Sequence, residues 1–400
     1  MGDERVLTLR ELNRALLARQ LLLERRRLGV QQAVERLCAI QAQWPQSPYL
    51  ALWTRLAGFR KEQLTRAIEQ HKVVKTQLFR ITLHMTSACD YPYFAAVWAP
   101  AARDRTPGVG REKLDELTSK VRAAAMNRPI TQEQVEEIAA AEMGGLRWRT
   151  RTLTPLVHLP PSGTWSHYGR AQLRAMEAVL GVELPAREDG AERLVRSYFA
   201  AFGPATQEDL LRFAGLRVGD VRAGLEGVEL RRFRDERGRV LLDLPRAQLP
   251  DADTPAPVRF LPKWDSALLA YAPPERTRIL PEQFRSIVIG KNGDVLPTVL
   301  VDGFVAATWD MATKRDLTIT PLRRLTKQQR AEVDAEGERL ADFFRSLDEK
   351  SASSGSRSPR STSRSTCTHR IPRESASVRA CGLIVCAARM PRQSPSIRSR

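Results

Sequence analysis

The feature of this sequence that most constrains its fold is a recurring order of elements, in which amphipathic helices are followed by a pair of short extended segments. Candidate strand pairs occur at about residues 73–85, 153–165 and 229–243, and each follows segments with helical periodicity. Helices that are followed in the chain by a β-hairpin are typical of winged-helix units, although many α+β domains share this order. Because the segments differ in length and their side chains do not repeat, the topology recurs but the sequence does not.

The expected fold class is therefore α+β, with three tandem winged-helix-like units, a β-rich C-terminal part and a disordered tail. The predicted boundaries of these five parts are residues 1–105, 106–188, 189–257, 258–350 and 351–400. The tail is rich in Ser and Arg and has no apolar stripe, so it cannot bury enough surface to order itself. A basic arm that holds DNA and a frame-shifted or spurious C-terminus are both open interpretations, and we assign the tail no function.

Side-chain caps mark several helix starts. Thr8 is followed three residues later by Glu11, and Thr131 by Gln134, which is the spacing of a capping box. The first of these helices is expected to continue until Gly29, because glycine is favoured just beyond a helix C-terminus.

The net charge of +18 favours a polyanionic partner such as nucleic acid. Half of it lies in the tail, where residues 351–400 hold ten Arg and one acidic residue. The first 350 residues carry 54 basic and 45 acidic side chains and are only moderately basic. This balance fits DNA binding without requiring it, and a neutral enzyme with a basic tail is the alternative.

Several classes of protein are disfavoured by composition. No apolar run is long enough to span a bilayer, and the polar N-terminus lacks a signal-peptide core, so we expect a cytoplasmic, nucleoid-associated protein without membrane contact. The five cysteines have no paired spacing that would indicate a zinc site or a disulfide framework. We therefore expect no metal and no cofactor.

A pair of glutamines, Gln41 and Gln43, lies in a short segment that ends with Pro45. Apolar residues at helical spacing predict a helix over about 30–42, and the proline ends it near Gln43. Residues two apart do not share a face of a helix, so the two amides could enter one cavity only where the helix unwinds. On this pattern alone, two ordinary polar residues at a fraying helix end are the alternative.

Residues 39–45, Ala-Ile-Gln-Ala-Gln-Trp-Pro, and the following residues 48–56 resemble the glutamine signature of the AlkZ/YcaQ-like winged-helix DNA glycosylases. A later segment is similar to the His-apolar-Pro hairpin of the same family, with His158 and Pro160 at the matching positions and a turn at 160–163. The resemblance extends over about residues 6–347, and these two motifs are its most specific parts.

The resemblance implies a monofunctional DNA glycosylase that hydrolyses the N-glycosidic bond of N7-alkylated purines in base excision repair, and that unhooks interstrand crosslinks in some members. It implies Gln41 and Gln43 as the catalytic residues. An amide can hold a water by hydrogen bonds but is no strong base, which suits a cationic leaving group. The expected partner is double-stranded DNA with alkylated bases, bound by a monomer. The alternative is a non-catalytic winged-helix DNA-binding protein or transcription regulator, although no dimerisation coiled coil is visible.

Basic and hairpin residues are the candidates for contact with DNA. Contacts to phosphate supply affinity and orientation but carry no sequence choice. Each candidate has an alternative structural role as an ordinary strand or hairpin residue. The candidates are His158, Pro160, Arg170, Arg80, Lys75 and Lys263.

Overall fold

The described part of the chain contains three β-sheets and the helices that connect their strands. The computed structural model describes residues 4–313 and 316–346, without the side chains of Pro274, Ala312 and Thr313. Within these ranges helices and strands are mixed along the chain, which confirms the expected α+β class. The predicted disorder of residues 351–400 lies outside the described residues.

The elements are numbered in chain order. The helices are α1 (Leu9–Arg19), α2 (Val30–Arg36), α3 (Ser47–Arg55), α4 (Lys61–Glu69), α5 (Tyr91–Asp104), α6 (Arg111–Asn127), α7 (Gln132–Met143), α8 (Thr150–Leu153), α9 (Met176–Leu180), α10 (Arg187–Phe202), α11 (Gln207–Ala214), α12 (Val218–Gly227), α13 (Ser266–Leu269), α14 (Arg285–Val288) and α15 (Lys327–Arg345). The strands are β1 (Val6–Leu7), β2 (Ile40–Gln41), β3 (Val73–Leu78), β4 (Thr82–Ser87), β5 (Ile130–Thr131), β6 (Leu156–His158), β7 (Gln172–Ala175), β8 (Arg231–Asp235), β9 (Val240–Asp243), β10 (Arg259–Leu261), β11 (Thr298–Val301), β12 (Phe304–Thr313) and β13 (Asp316–Pro321).

The largest sheet in the described chain joins the first two predicted strand pairs. Its order is β2-β4-β3-β6-β7-β5, and all neighbouring strands are antiparallel. The link between the two pairs is the pairing of Lys75 in β3 with His158 in β6. One sheet thus spans the predicted boundary between residues 105 and 106, while the division of the chain into winged-helix units stays a prediction.

Two smaller sheets contain the later strand pairs. The hairpin β8–β9 turns at residues 236–239, and β1 adds to it in parallel, with Val6 opposite Arg234. The strands β10 to β13 form an antiparallel sheet in which β11 and β12 are joined at Asp302 and Gly303. Both the third extended pair and the β-rich C-terminal part are therefore present as expected.

The predicted helix starts agree with the structure, but the predicted end of the first helix was wrong. The Thr8 side chain accepts from the Glu11 amide, and the Glu11 carboxylate accepts from the Thr8 amide at 2.8 Å. Helix α1 ends at Arg19, ten residues before Gly29, because Leu21 adopts a φ of +56°. The reversal buries Leu21 and Leu22 in the core, a tertiary effect that outweighs the local sequence.

A buried ion pair joins α3 to the start of α13. Arg55 donates two hydrogen bonds to the Asp265 carboxylate, at 2.8 and 2.9 Å, and both side chains are 1% exposed. The Arg55 Nε also donates to the Gln20 carbonyl oxygen at 2.9 Å, just beyond α1. Loss of one partner would leave the other charge buried without compensation.

We predict that Asp265→Ala destabilises the protein by about 3–5 kcal/mol, because the Arg55 guanidinium would stay buried without its counter-ion. The free energy of unfolding from urea denaturation measures the effect. The matched control is Glu24→Ala, which removes an exposed partner of Arg26 and should cost less than about 1 kcal/mol. A loss in Asp265→Ala as small as in the control would contradict the prediction.

Candidate active site and nucleic-acid interface

The glutamine pair does not lie at the end of a long helix, which corrects the prediction from the sequence. Helix α2 ends at Arg36, and Cys38 and Ala39 follow with φ values of +53° and +75°. These two left-handed residues turn the chain so that Ile40 and Gln41 form β2, an edge strand beside β4. Pairing with β4 satisfies backbone groups that a frayed helix end would leave open, so the extended form prevails.

Strand β4 holds both glutamines. Gln41 is directly opposite His84 in the strand pair, and the Ala42 amide donates to the Leu83 carbonyl oxygen at 2.7 Å. The Leu83 amide donates in turn to the Gln43 side-chain oxygen at 3.2 Å. Gln41 thus lies within the strand pair, whereas Gln43 lies in a bend just beyond β2 and its side chain reaches back to β4.

The hydrogen bonds leave the two amides with complementary free groups. Because the Gln43 Oε1 faces the Leu83 amide, its NH₂ group points away from the strand and presents donors. Gln41 is 5% exposed, and its Oε1 is buried with no hydrogen-bond partner in the described chain. Two residues apart in the chain, Gln43 therefore offers donors and Gln41 a buried acceptor that can accept from a ligand or from water.

His84 is the titratable residue opposite Gln41. Its Nδ1 is 3.1 Å from the Thr82 carbonyl oxygen, which can only accept, so the proton lies on Nδ1. Burial, with a smaller contribution from the Arg80 charge, lowers the pKa of His84 to about 3. The ring also packs edge-on against Phe79, with centroids 5.6 Å apart. His84 is thus neutral near pH 7 and a weak base.

The segment after β6 is longer than the tight hairpin predicted from its sequence. Residues 160–163 form the predicted turn, but the strand that pairs with β6 begins only at Gln172, so a longer connection follows the turn. His158 Nδ1 is 3.2 Å from the Ser162 hydroxyl, and burial followed by the charges of Lys75 and Arg151 lowers the pKa of His158 to about 3. Pro160 is half-buried at the start of this connection.

Two of the predicted DNA contacts have side chains that pack against the rest of the fold, with Lys75 buried and Arg80 half-buried. Lys75 is 7% exposed on the central strand β3, and burial lowers the pKa of its ammonium group. Arg80 donates to the Phe213 carbonyl oxygen and lies over the Phe213 ring at 5.5 Å. In this conformation both residues stabilise the fold, and their contact with phosphate stays a prediction.

The other two basic candidates lie nearer the surface. The Arg170 side chain is 83% exposed and has Glu133 at 3.3 Å. The Lys263 ammonium pairs with Asp294 at 3.0 Å and lies over the Trp264 ring. Arg170 is therefore the most accessible of the predicted phosphate contacts.

The sequence interpretation missed three residues near the glutamines. His84 was not singled out as a site residue because its pairing with Gln41 is a long-range contact. Tyr168 and Gln46 are hydrogen-bonded to each other, although 122 positions separate them in the chain. The only available signal was that Gln46 belongs to the same short run as the glutamine pair.

The described residues lack both metal-binding clusters and helices that could span a membrane. They contain no group of three or more His, Cys, Asp or Glu side chains that could bind a metal ion. Among their helices, none combines the length and the apolar character that a membrane crossing requires.

Comparison with known proteins identifies the family. A sequence model described as DNA glycosylase AlkZ-like matches residues 34–343, which is most of the chain. This chain belongs to the AlkZ-like DNA glycosylase family. It is accordingly a DNA glycosylase, an enzyme of DNA repair, and the alternative of a non-catalytic regulator is not supported.

Two comparisons extend this family assignment. The glycosylase is 25% identical over 336 residues to the interstrand DNA cross-link repair glycosylase of Streptomyces sahachiroi, covering 76% of this chain and 87% of the relative. The solved structure of the Streptomyces sahachiroi DNA glycosylase AlkZ superimposes with a TM-score of 0.72 at 21% identity, covering 84% of this chain and 97% of that structure. The superposition shows a shared fold.

The buried His84 and the half-buried His158 predict a loss of stability in acid. The pKa of each is about 3 in the folded glycosylase and near 6.5 in an unfolded chain, so the unfolded state binds more protons between these values. The free energy of unfolding should therefore fall as the pH is lowered from about 6.5 towards 3, by up to about 1.4 kcal/mol per pH unit for each histidine.

Urea denaturation at pH 7, 6 and 5 measures this loss in the parent and in His158→Asn. The variant should lose less stability than the parent over the same interval, because one of the two groups is gone. Equal pH dependence in the two proteins would show that His158 is protonated as readily in the folded state as in the unfolded state.

Proposed function

We propose that this glycosylase is monofunctional and hydrolyses the N-glycosidic bond of N7-alkylated purines in double-stranded DNA. The observation that carries the proposal is the amide pair at the edge of β4. Gln41 offers a buried oxygen without a partner, and Gln43 offers the donors of its NH₂ group. One water can donate to the first and accept from the second, which places it for attack on the sugar.

The available groups determine which bases can leave. An amide takes no proton near neutral pH, and His84, opposite Gln41, is a weak base because the pKa of its ring is about 3. The two amides therefore cannot activate the water strongly, and the N-glycosidic bond of the substrate must already be weak. A purine alkylated at N7 is cationic and departs as a neutral base without protonation, which matches what the two amides supply.

The proposal extends to interstrand crosslinks. A crosslink that joins two purines through N7 contains the same cationic leaving group on each strand, so the same chemistry would unhook it. The cross-link repair activity in the name of the Streptomyces sahachiroi relative supports this extension.

Contact with DNA is assigned to the surface beside the glutamines. We propose that His158 and Pro160 position the connection between β6 and β7 against a groove, while the exposed Arg170 contacts phosphate. The protein is proposed to act as a monomer, since a single copy supplies both glutamines and this connection.

We predict that Gln43→Ala reduces release of N7-methylguanine by about a hundredfold or more, and that Gln41→Ala weakens it strongly. Both variants lose a positioned hydrogen-bonding group without losing a charge, so their affinity for DNA should stay near the parent value. Single-turnover release of free base from a duplex with one lesion measures the rate, and fluorescence anisotropy measures binding. Gln43→Asp should retain part of the activity, because a carboxylate also accepts from water and stabilises a cationic sugar.

The matched control is Gln328→Ala, which truncates an exposed glutamine on α15 and should leave the rate unchanged. Melting temperatures of all variants separate a loss of catalysis from a loss of fold. If both Gln41→Ala and Gln43→Ala release N7-methylguanine at the parent rate, the proposed role of the two amides is wrong.

A further inference from the structure

Tyr168 is the most exposed large apolar or aromatic side chain in the described part of the chain. Its relative exposure is 67%, whereas most tyrosines of the core are fully buried. The residues around it, Ser166, His167, Gly169 and Arg170, are small, polar or charged rather than apolar. A lone exposed ring in a polar, basic setting does not resemble a patch that binds another folded protein.

The ring of Tyr168 is tethered beside the glutamine pair. Its hydroxyl accepts a hydrogen bond from the side-chain Nε2 of Gln46, and Gln46 follows Gln43 by three residues. The intervening chain is a turn, in which the Ser47 amide donates to the Trp44 carbonyl oxygen at 3.0 Å. The exposed ring is therefore bound to the turn that directly follows Gln43 in the chain.

Gln46 carries a second unpaired acceptor in this region. Its Oε1 is buried and has no hydrogen-bond partner in the described chain, as is also true of the Gln41 Oε1. A buried acceptor without a protein partner can accept from an N–H or O–H group of a ligand. A nucleobase has such groups on its edge and a flat face for an aromatic ring.

The segment that carries Tyr168 is also fixed from its other side. Trp165, three residues earlier, is 9% exposed and packs edge-on against Tyr49 and Phe344, with centroids 5.5 and 5.3 Å apart. The Lys61 ammonium lies 4.1 Å from the centre of the Trp165 ring. Trp165 is anchored in the core and the Tyr168 hydroxyl is bonded to Gln46. The Tyr168 ring therefore loses little conformational entropy when it binds a ligand.

We propose that Tyr168, held by Gln46, is a stacking platform for an unstacked nucleobase of the bound DNA. The face of the ring covers the base, and the Gln46 oxygen accepts from an N–H group on its edge. Arg170, two residues further on, supplies attraction to the neighbouring phosphate. The platform rests on the proposed function, because it places the glutamine pair at the damaged nucleotide.

Photocrosslinking tests the platform directly. A duplex with 5-iodouracil reacts on irradiation with an aromatic side chain stacked on that base. Three duplexes place the iodouracil at the lesion position, opposite it, or at the flanking position. The crosslinked peptide should contain Tyr168 in at least one duplex, and the reacting position identifies which base occupies the platform.

Variants of the full-length chain give the second measurement. Tyr168→Leu should abolish this crosslink and weaken binding to a duplex with a stable abasic analogue by about tenfold or more. Tyr168→Phe keeps the ring but loses the hydrogen bond to Gln46, so it should keep the crosslink and lose less affinity than Tyr168→Leu. Tyr93→Leu, which changes a partly exposed tyrosine on α5, is the matched control and should match the parent. Since Tyr168 is exposed, these changes should leave the melting temperature unaltered.

Crosslinks that map elsewhere in all three duplexes, together with parent affinity in Tyr168→Leu, would overturn the platform. Neither measurement requires catalysis. A parent protein that crosslinks through Tyr168 but releases no N7-methylguanine would contradict the proposed function while supporting the platform.

Discussion

The pairing of β2 with β4 is the interaction on which the rest of the site depends. Two residues, Ile40 and Gln41, join the edge of the largest sheet opposite Met85 and His84. The next backbone donor of β4, the Leu83 amide, then binds a side chain instead of a main-chain oxygen. The pairing of β2 with β4 ends at Leu83, because the Leu83 amide donates to the Gln43 side chain and not to a main-chain oxygen. The same hydrogen bond fixes the orientation of the Gln43 amide.

The remainder of the fold keeps this edge rigid. His84 is held by the Thr82 carbonyl oxygen and by Phe79, and the adjoining Arg80 is bound to the carbonyl oxygen of Phe213 at the end of α11. Groups that act only by hydrogen bonding contribute to a rate when they are already aligned before the substrate arrives. The buried oxygen of Gln41 has no hydrogen-bond donor among the described residues, and a bound water or sugar can supply one.

Local signals in the sequence predicted much of the secondary structure. The capping box at Thr8 and the turn at Asp302 depend on neighbouring residues, and both are present as expected. The end of α2 could not be predicted in this way. Nothing in the composition of Cys38 and Ala39 requires left-handed backbone, which is instead imposed by pairing with a strand more than forty residues away.

The same distinction applies to the site. The glutamines were recognisable because they lie two residues apart in a short motif that resembles a known family. Their partner His84 and the exposed Tyr168 come from distant segments, and no periodicity reports that one is buried and the other is exposed. Lys75 illustrates the opposite difficulty, since its charge suggested a surface role and the structure places it within the sheet.

The central claim is that the amide pair acts without strong base catalysis and therefore requires a base that is already a good leaving group. Single-turnover rates on duplexes that differ only in the damaged base test it most directly. The account predicts rapid release of cationic N7-methylguanine and no detectable release of uracil or unmodified guanine, which are neutral. Release of uracil at a rate comparable to that of N7-methylguanine would contradict the claim, because it would require activation of the water that the two amides do not provide.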